Sequence, residues 1–135
     1  MPRSVADPAL GREPAGRRLA ITAESLYLVN LMLAPGFAFA VLAWLWFKHR
    51  RSAPLLARGH LEQTFRASLW AGGLLVAAST AVVLLGGVRS MWVWVVAILW
   101  FVCVHATLVL LGVLGLVAAM GGKPFVFPLV GKSNG

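Results

Sequence analysis

The sequence predicts an all-α integral membrane protein. Three hydrophobic helical segments carry the fold, the first kinked or re-entrant at Pro35-Gly36, together with an interfacial amphipathic helix. Three observations support this class. First, hydrophobic residues make up 60% of the 135-residue chain and charged residues 12%, against about 25% charged in soluble domains. Second, no Lys, Arg, Asp or Glu occurs between Ser25 and Phe47, between Ala67 and Val88, or between Ser90 and Gly122. Each stretch reaches the roughly 20 apolar residues that a helix needs to cross a hydrocarbon core. Third, these runs are continuously apolar. Barrel strands would alternate in short segments, so the backbone groups are expected to pair within helices.

Residues 1–20 hold Pro2, Pro8, Pro14 and four arginines without an apolar core, and read as a flexible basic tail rather than a signal peptide. The single membrane domain then occupies residues 21–135. Segment one covers about 21–47, with Thr22 or Ser25 as its expected cap and Glu24 near the positive helix N-terminus, where an N-terminal cap role is favoured over that of a proton carboxylate. Ala34-Pro35-Gly36 must kink or break it. Trp44 and Trp46, followed by Lys48, Arg50 and Arg51, form an aromatic belt and a basic anchor at the lipid interface.

The linker, 48–66, restarts a helix after Pro54. Leu55, Leu56, Leu61 and Phe65 set against Arg58, Glu62 and Arg66 make that stretch amphipathic, as a short helix lying at the interface would be, either separate from segment two or continuous with it. Segment two covers about 64–88. Its Gly73, Ala77 and Ala81 share one face, on which another helix can approach closely. Gly86-Gly87-Val88-Arg89-Ser90 is a tight turn, so segments two and three are expected to pack as an antiparallel hairpin. Segment three covers about 91–120. Trp92 and Trp94 anchor its start, and Gly112, Gly115 and Ala119 supply a second face of small residues. Gly121-Gly122 and Pro124 end it. In the tail, 121–135, Phe125 and Phe127 flank Val126 with extended spacing and are expected to rest at the membrane surface or against the linker.

The net charge of +8 is placed beside the apolar runs. That favours anchoring at a bilayer over nucleic-acid binding, for which no soluble basic domain remains. The basic linker and C-tail are expected on the cytoplasmic side, with localisation in a bacterial cytoplasmic (inner) membrane. The N-tail arginines oppose this if segment one crosses once. If it is re-entrant, every Lys and Arg except Arg89 falls on one side. Neither half, about 13 residues or 20 Å long, could cross alone, and a broken helix needs protein cover. On those grounds a kinked single span is the favoured reading and a hairpin the alternative.

Two patches carry a resemblance. One is Ala57-Arg58-Gly59-His60-Leu61-Glu62-Gln63, an H-x-x-Q on a short helix after a basic, Pro-containing linker. The other is Gly122-Lys123-Pro124-Phe125-Val126-Phe127-Pro128, a G-x-P-aromatic-x-aromatic-P tail. In order and spacing, over roughly Tyr27 to Lys132, the chain resembles a family of small bacterial membrane proteins of unknown function. That family is distantly related to the chloroplast import component Tic-twenty and includes the MamF proteins of magnetosome membranes. Gly59 stands where the family usually has an aromatic. The resemblance implies a helical membrane domain without enzymatic chemistry.

Few residues offer chemistry. His60 and Gln63 share a helix face. They could contact a partner or headgroup or lock the linker to the C-tail, but an interfacial helix satisfying its own polar groups is the favoured reading. His105 lies among apolar residues of segment three and is the candidate for haem, quinone or proton binding. A neutral imidazole bonded to a neighbouring helix, with Thr107 or Asn30 as partner, is favoured over that. Cys103 has no pairing or zinc spacing and is expected to be a buried small apolar residue. Neither a metal nor a cofactor is expected. No nucleophile–base–acid set and no phosphate loop is visible, so the chain does not read as an enzyme.

The function expected from these features is that of an accessory or scaffold subunit of a larger membrane complex, redox, photosynthetic or transport. Its partners would be the lipid bilayer and other membrane-protein subunits. The alternatives are a transport or translocation component acting as an oligomer, and a cofactor-binding subunit using His105.

Overall fold

In the computed structural model, which describes residues 13–128, the chain is helical, and no strand occurs among the described residues. The elements are α1 (Arg17–Met32), α2 (Phe37–His49), α3 (Leu55–Leu84), a short 3-10 turn (Gly87–Arg89) and α4 (Met91–Met120). α3 and α4 are each 30 residues long and apolar enough to cross a membrane. In their most apolar windows only 11% and 6% of residues are buried within the chain. Helices of a soluble core would be covered by their own protein; these are not.

Segment one is two helices folded back on each other rather than one kinked span. Ala23 of α1, Leu42 of α2 and Leu61 of α3 form one buried cluster, with Leu19, Leu45 and Trp46 packed against it. Along a continuous helix Ala23 and Leu42 would stand about 28 Å apart. The break lies at 33–36. Gly36 adopts φ 89 and ψ −53, a conformation that L side chains rarely take, and its N–H donates to Asn30 Oδ1 at 3.1 Å. The missing N–H of Pro35 and the freedom of Gly36 reverse the chain, and Asn30 secures the turn. The favoured single-span reading is therefore corrected.

Phe65 of α3 is inserted between Phe39 and Trp46 of α2. Its ring centroid is 5.8 Å from the first and 4.6 Å from the second, each nearly parallel. Residues two turns apart on a helix are separated by about 10.5 Å, which leaves room for one ring. Trp46 is thus a packing residue, although Arg50 lies over its outer face at 5.0 Å. Trp44 stays exposed with Lys48 over it at 4.7 Å, and Trp92 is exposed as well, as lipid-interface anchors would be.

Other boundaries also move. α1 starts at Arg17, so residues 17–20 are helical; residues 1–12 lie outside the described part. Thr22 does not cap it, since its hydroxyl donates to the Arg18 carbonyl within the helix. The amphipathic stretch after Pro54 takes the continuous form of the two expected: it is the beginning of α3. α4 ends in a Schellman arrangement. Gly122 has φ 64, its N–H donates to the Ala119 carbonyl, and the Lys123 N–H donates to the Ala118 carbonyl.

Four helix ends meet at one end of the bundle. Gly16 lies so close to the start of α3 that a Cβ there would stand 2.8 Å from that of Ala57. Arg17 Nε donates to the Met120 carbonyl at the end of α4, at 2.7 Å. The start of α1, the end of α2, the start of α3 and the end of α4 thus share one end. Arg89 lies in the turn at the other.

Candidate functional site

The α1 face that enters the bundle is Ala20, Ala23, Glu24 and Tyr27, an i, i+3, i+4, i+7 stripe that is fully buried. Glu24 therefore stands in the second turn of α1 and is not an N-terminal cap. His60 and Gln63 of α3, also buried, meet it. His60 Nδ1 is 2.6 Å from Glu24 Oε1, and Gln63 Nε2 donates to the same oxygen at 2.9 Å. On its other side His60 Nε2 lies 3.0 Å from the Lys123 carbonyl.

A carbonyl only accepts, so Nε2 carries a hydrogen. Nδ1 then either accepts from a protonated Glu24 or, as imidazolium, donates to its carboxylate. In both forms one proton lies between Nδ1 and Oε1 and the pair has no net charge, which limits the cost of burying it. Gln63 can bond Glu24 in either form.

Gly115 of α4 makes room for this carboxylate: a Cβ there would stand 2.6 Å from Glu24 Oε2. Gly112 does the same for Tyr27, at 2.8 Å from the ring. The Tyr27 hydroxyl donates to the Leu108 carbonyl at 3.4 Å, and its ring packs on Phe127 at 5.6 Å between centroids. Gly112, Gly115 and Ala119 are buried, so the small-residue face of α4 seats α1 inside the chain. Phe127 is buried with Tyr27 and Ala67, and Phe125 packs against that cluster. The tail, with Pro124 at its turn away from α4, is thus part of the core rather than a surface rest. The polar lock joins α1, α3 and the C-tail. His60 and Gln63 serve this contact and not the internal needs of one interfacial helix.

Gly73, Ala77 and Ala81 fare differently. All three are exposed, and a Cβ at Gly73 would meet nothing within 4 Å. The partly covered residues of the outer half of α3 are Ala71, Leu74, Ala78 and Val82, on another face. The α3–α4 hairpin forms, but without the Gly73–Ala81 stripe.

A groove of about 520 Å³ opens where the α1–α2 turn meets the middle of α3 and α4. Pro35, Phe39, Trp100 and Phe101 give it apolar walls, and Asn30, Ser68 and His105 are its polar lining side chains. His105 stacks on Phe101 at 5.4 Å and makes no hydrogen bond among the described residues. The expected partners act elsewhere: Asn30 Oδ1 holds Gly36, and Thr107 donates to the Cys103 carbonyl of its own helix. Cys103 is exposed, not buried, because α1 and α3 cover only other faces of α4.

Glu24, Tyr27 and the Lys123 carbonyl were not legible as a site from sequence. The signal was present in the 3–4 spacing of Ala20, Ala23, Glu24 and Tyr27, which puts the acid on the face that packs. No family model, no curated protein and no solved structure matches the chain.

Proposed function

We propose that this chain is a non-catalytic accessory or scaffold subunit of a larger membrane assembly. The observation that carries the reading is the contrast between two small-residue faces. The one on α4 is filled by α1 of the same chain, whereas Gly73, Ala77 and Ala81 on α3 are open. Around them lie exposed large apolar residues, among them Val76, Val83, Leu84, Val95 and Leu99. Small residues let helix backbones approach closely in lipid, where packing and not hydrophobic exclusion drives association. The inner half of the molecule is tied together by buried polar contacts, and the outer half of the α3–α4 hairpin presents this surface to a partner helix.

Orientation belongs to the same proposal. The end holding Arg17, Arg18, Lys48, Arg50, Arg51, Arg58 and Lys123 faces the cytoplasm of a bacterium, and α1–α2 enters the bilayer from that side and returns to it. Kinship with the small membrane-protein family that the chain resembles is also part of it. The two patches that carry the resemblance are joined here by the His60–Lys123 hydrogen bond, a physical reason for them to occur together.

The test is extraction of the native membrane in mild detergent through a C-terminal tag. Partners should co-purify at fixed stoichiometry and be lost from Ala77→Leu and Ala81→Leu variants that still fold. A chain that purifies alone, or partners retained by both variants, overturns the reading. A homo-oligomer would direct attention to transport, tested by liposome flux.

A further inference from the structure

We infer that the mid-depth groove is a binding site for a lipophilic quinone, a flat ring bearing carbonyl oxygens on an apolar tail. The groove volume of about 520 Å³ lies in the range of small-molecule sites, roughly 300–1,000 Å³. The walls are aromatic and aliphatic, and the polar groups that line it are few, which is the usual constitution of such a site.

The polar groups are left over from folding. Ser68 is 5% exposed, and its Oγ is buried without a hydrogen-bond partner among the described residues. A serine inside a helix ordinarily donates to the carbonyl one turn back, as Ser79 does to Leu75 at 2.8 Å; Ser68 does not. Asn30 spends its Oδ1 on the Gly36 N–H, and its amide hydrogens make no bond among the described residues. His105 brings one ring N–H when neutral and is likewise unbonded. The site therefore offers O–H and N–H donors from three helices, α1, α3 and α4, to a ligand that accepts. A bare alkyl chain would leave them all unmet at a cost. A ring with carbonyl oxygens meets them, and its faces suit the rings of Phe39, Trp100 and Phe101. The tail leaves through the open side of the groove, past Leu69 and Leu75 of α3, both exposed.

Trp100 lines the groove and supplies the readout, because quinones quench indole fluorescence on contact. The full-length protein in phosphatidylcholine–phosphatidylglycerol nanodiscs is titrated with decylubiquinone. Quenching is expected to contain a saturable component above the linear collisional background. That component should vanish in Trp100→Phe and should not be displaced by decylbenzene, which has the tail and ring but no carbonyls. Ser68→Ala and His105→Phe should each weaken it roughly three- to tenfold, the worth of one hydrogen bond. His105→Phe keeps a ring against Phe101, so it stands as the second variant if Ser68→Ala disturbs the helix, and circular dichroism checks both. Linear quenching alone, displacement by decylbenzene, or unchanged affinity in both folded variants overturns the assignment. None of these outcomes bears on the partner-face variants at Ala77 and Ala81, which lie outside the groove although Gly73 of the same stripe lines it.

Discussion

Glu24 and His60, 36 residues apart in the chain, meet through a 2.6 Å hydrogen bond with both side chains almost wholly buried. This bond places the return of α1–α2 against the start of α3, and His60 passes it on to the C-tail through the Lys123 carbonyl. Removing one partner leaves the other buried without its proton-sharing group. His60→Leu is expected to destabilise the fold by about 3–5 kcal/mol. The double variant Glu24→Met/His60→Leu should recover most of that loss, since an apolar pair of similar volume removes the orphan. Thermal unfolding in detergent gives the cycle. Additive effects, with coupling below about 0.5 kcal/mol, would show that the bond does not hold the bundle.

Gly115 and Gly59 should respond oppositely to alanine. At Gly115 the added methyl meets the Glu24 carboxylate, whereas at Gly59 it meets nothing within 4 Å. Gly115→Ala is expected to cost about 1–3 kcal/mol through overpacking. Gly59→Ala should be neutral or gain up to about 1 kcal/mol from helix propensity. The same unfolding measurement ranks them, and equal effects would contradict the seat described for α1.

The hairpin in segment one is open to a direct length test. Cysteines placed by Leu19→Cys and Trp46→Cys in a Cys103→Ser background should be joined by a short bis-maleimide, because both side chains pack on one cluster. In a continuous span they would stand about 40 Å apart. Reporters fused to the two chain ends should also read the same side of the membrane. Failure to cross-link together with reporters on opposite sides would restore the single span.

The turn itself depends on Gly36 and Asn30. Gly36→Ala meets no neighbour, so its cost is backbone strain alone, about 1–3 kcal/mol. Asn30→Leu should cost roughly 1 kcal/mol by freeing the Gly36 N–H. Both should lower the Leu19–Trp46 cross-linking yield. An unchanged yield and unchanged unfolding temperature would mean that packing alone sets the reversal.

Local information in the chain was sufficient for the helices. Long apolar runs without charge specify α3 and α4, Pro54 and the Gly121-Gly122 pair mark their ends, and Pro35-Gly36 marks the break in segment one. These follow from hydropathy and backbone stereochemistry, which each residue carries with it. Which way segment one turns after the break is not local. It depends on whether Ala23 finds Leu42 and Leu61, and whether Glu24 finds His60 and Gln63, contacts between residues far apart in sequence. The same holds for the two small-residue faces. Gly112–Ala119 and Gly73–Ala81 read alike as patterns, yet among the described residues only the first is filled, because α1 supplies a ring and a carboxylate of the right shape to α4 and no described element covers the second. Tertiary packing likewise turned Glu24 from an expected cap into the centre of a lock, and left Ser68 and His105 facing a groove with no hydrogen bond made among the described residues.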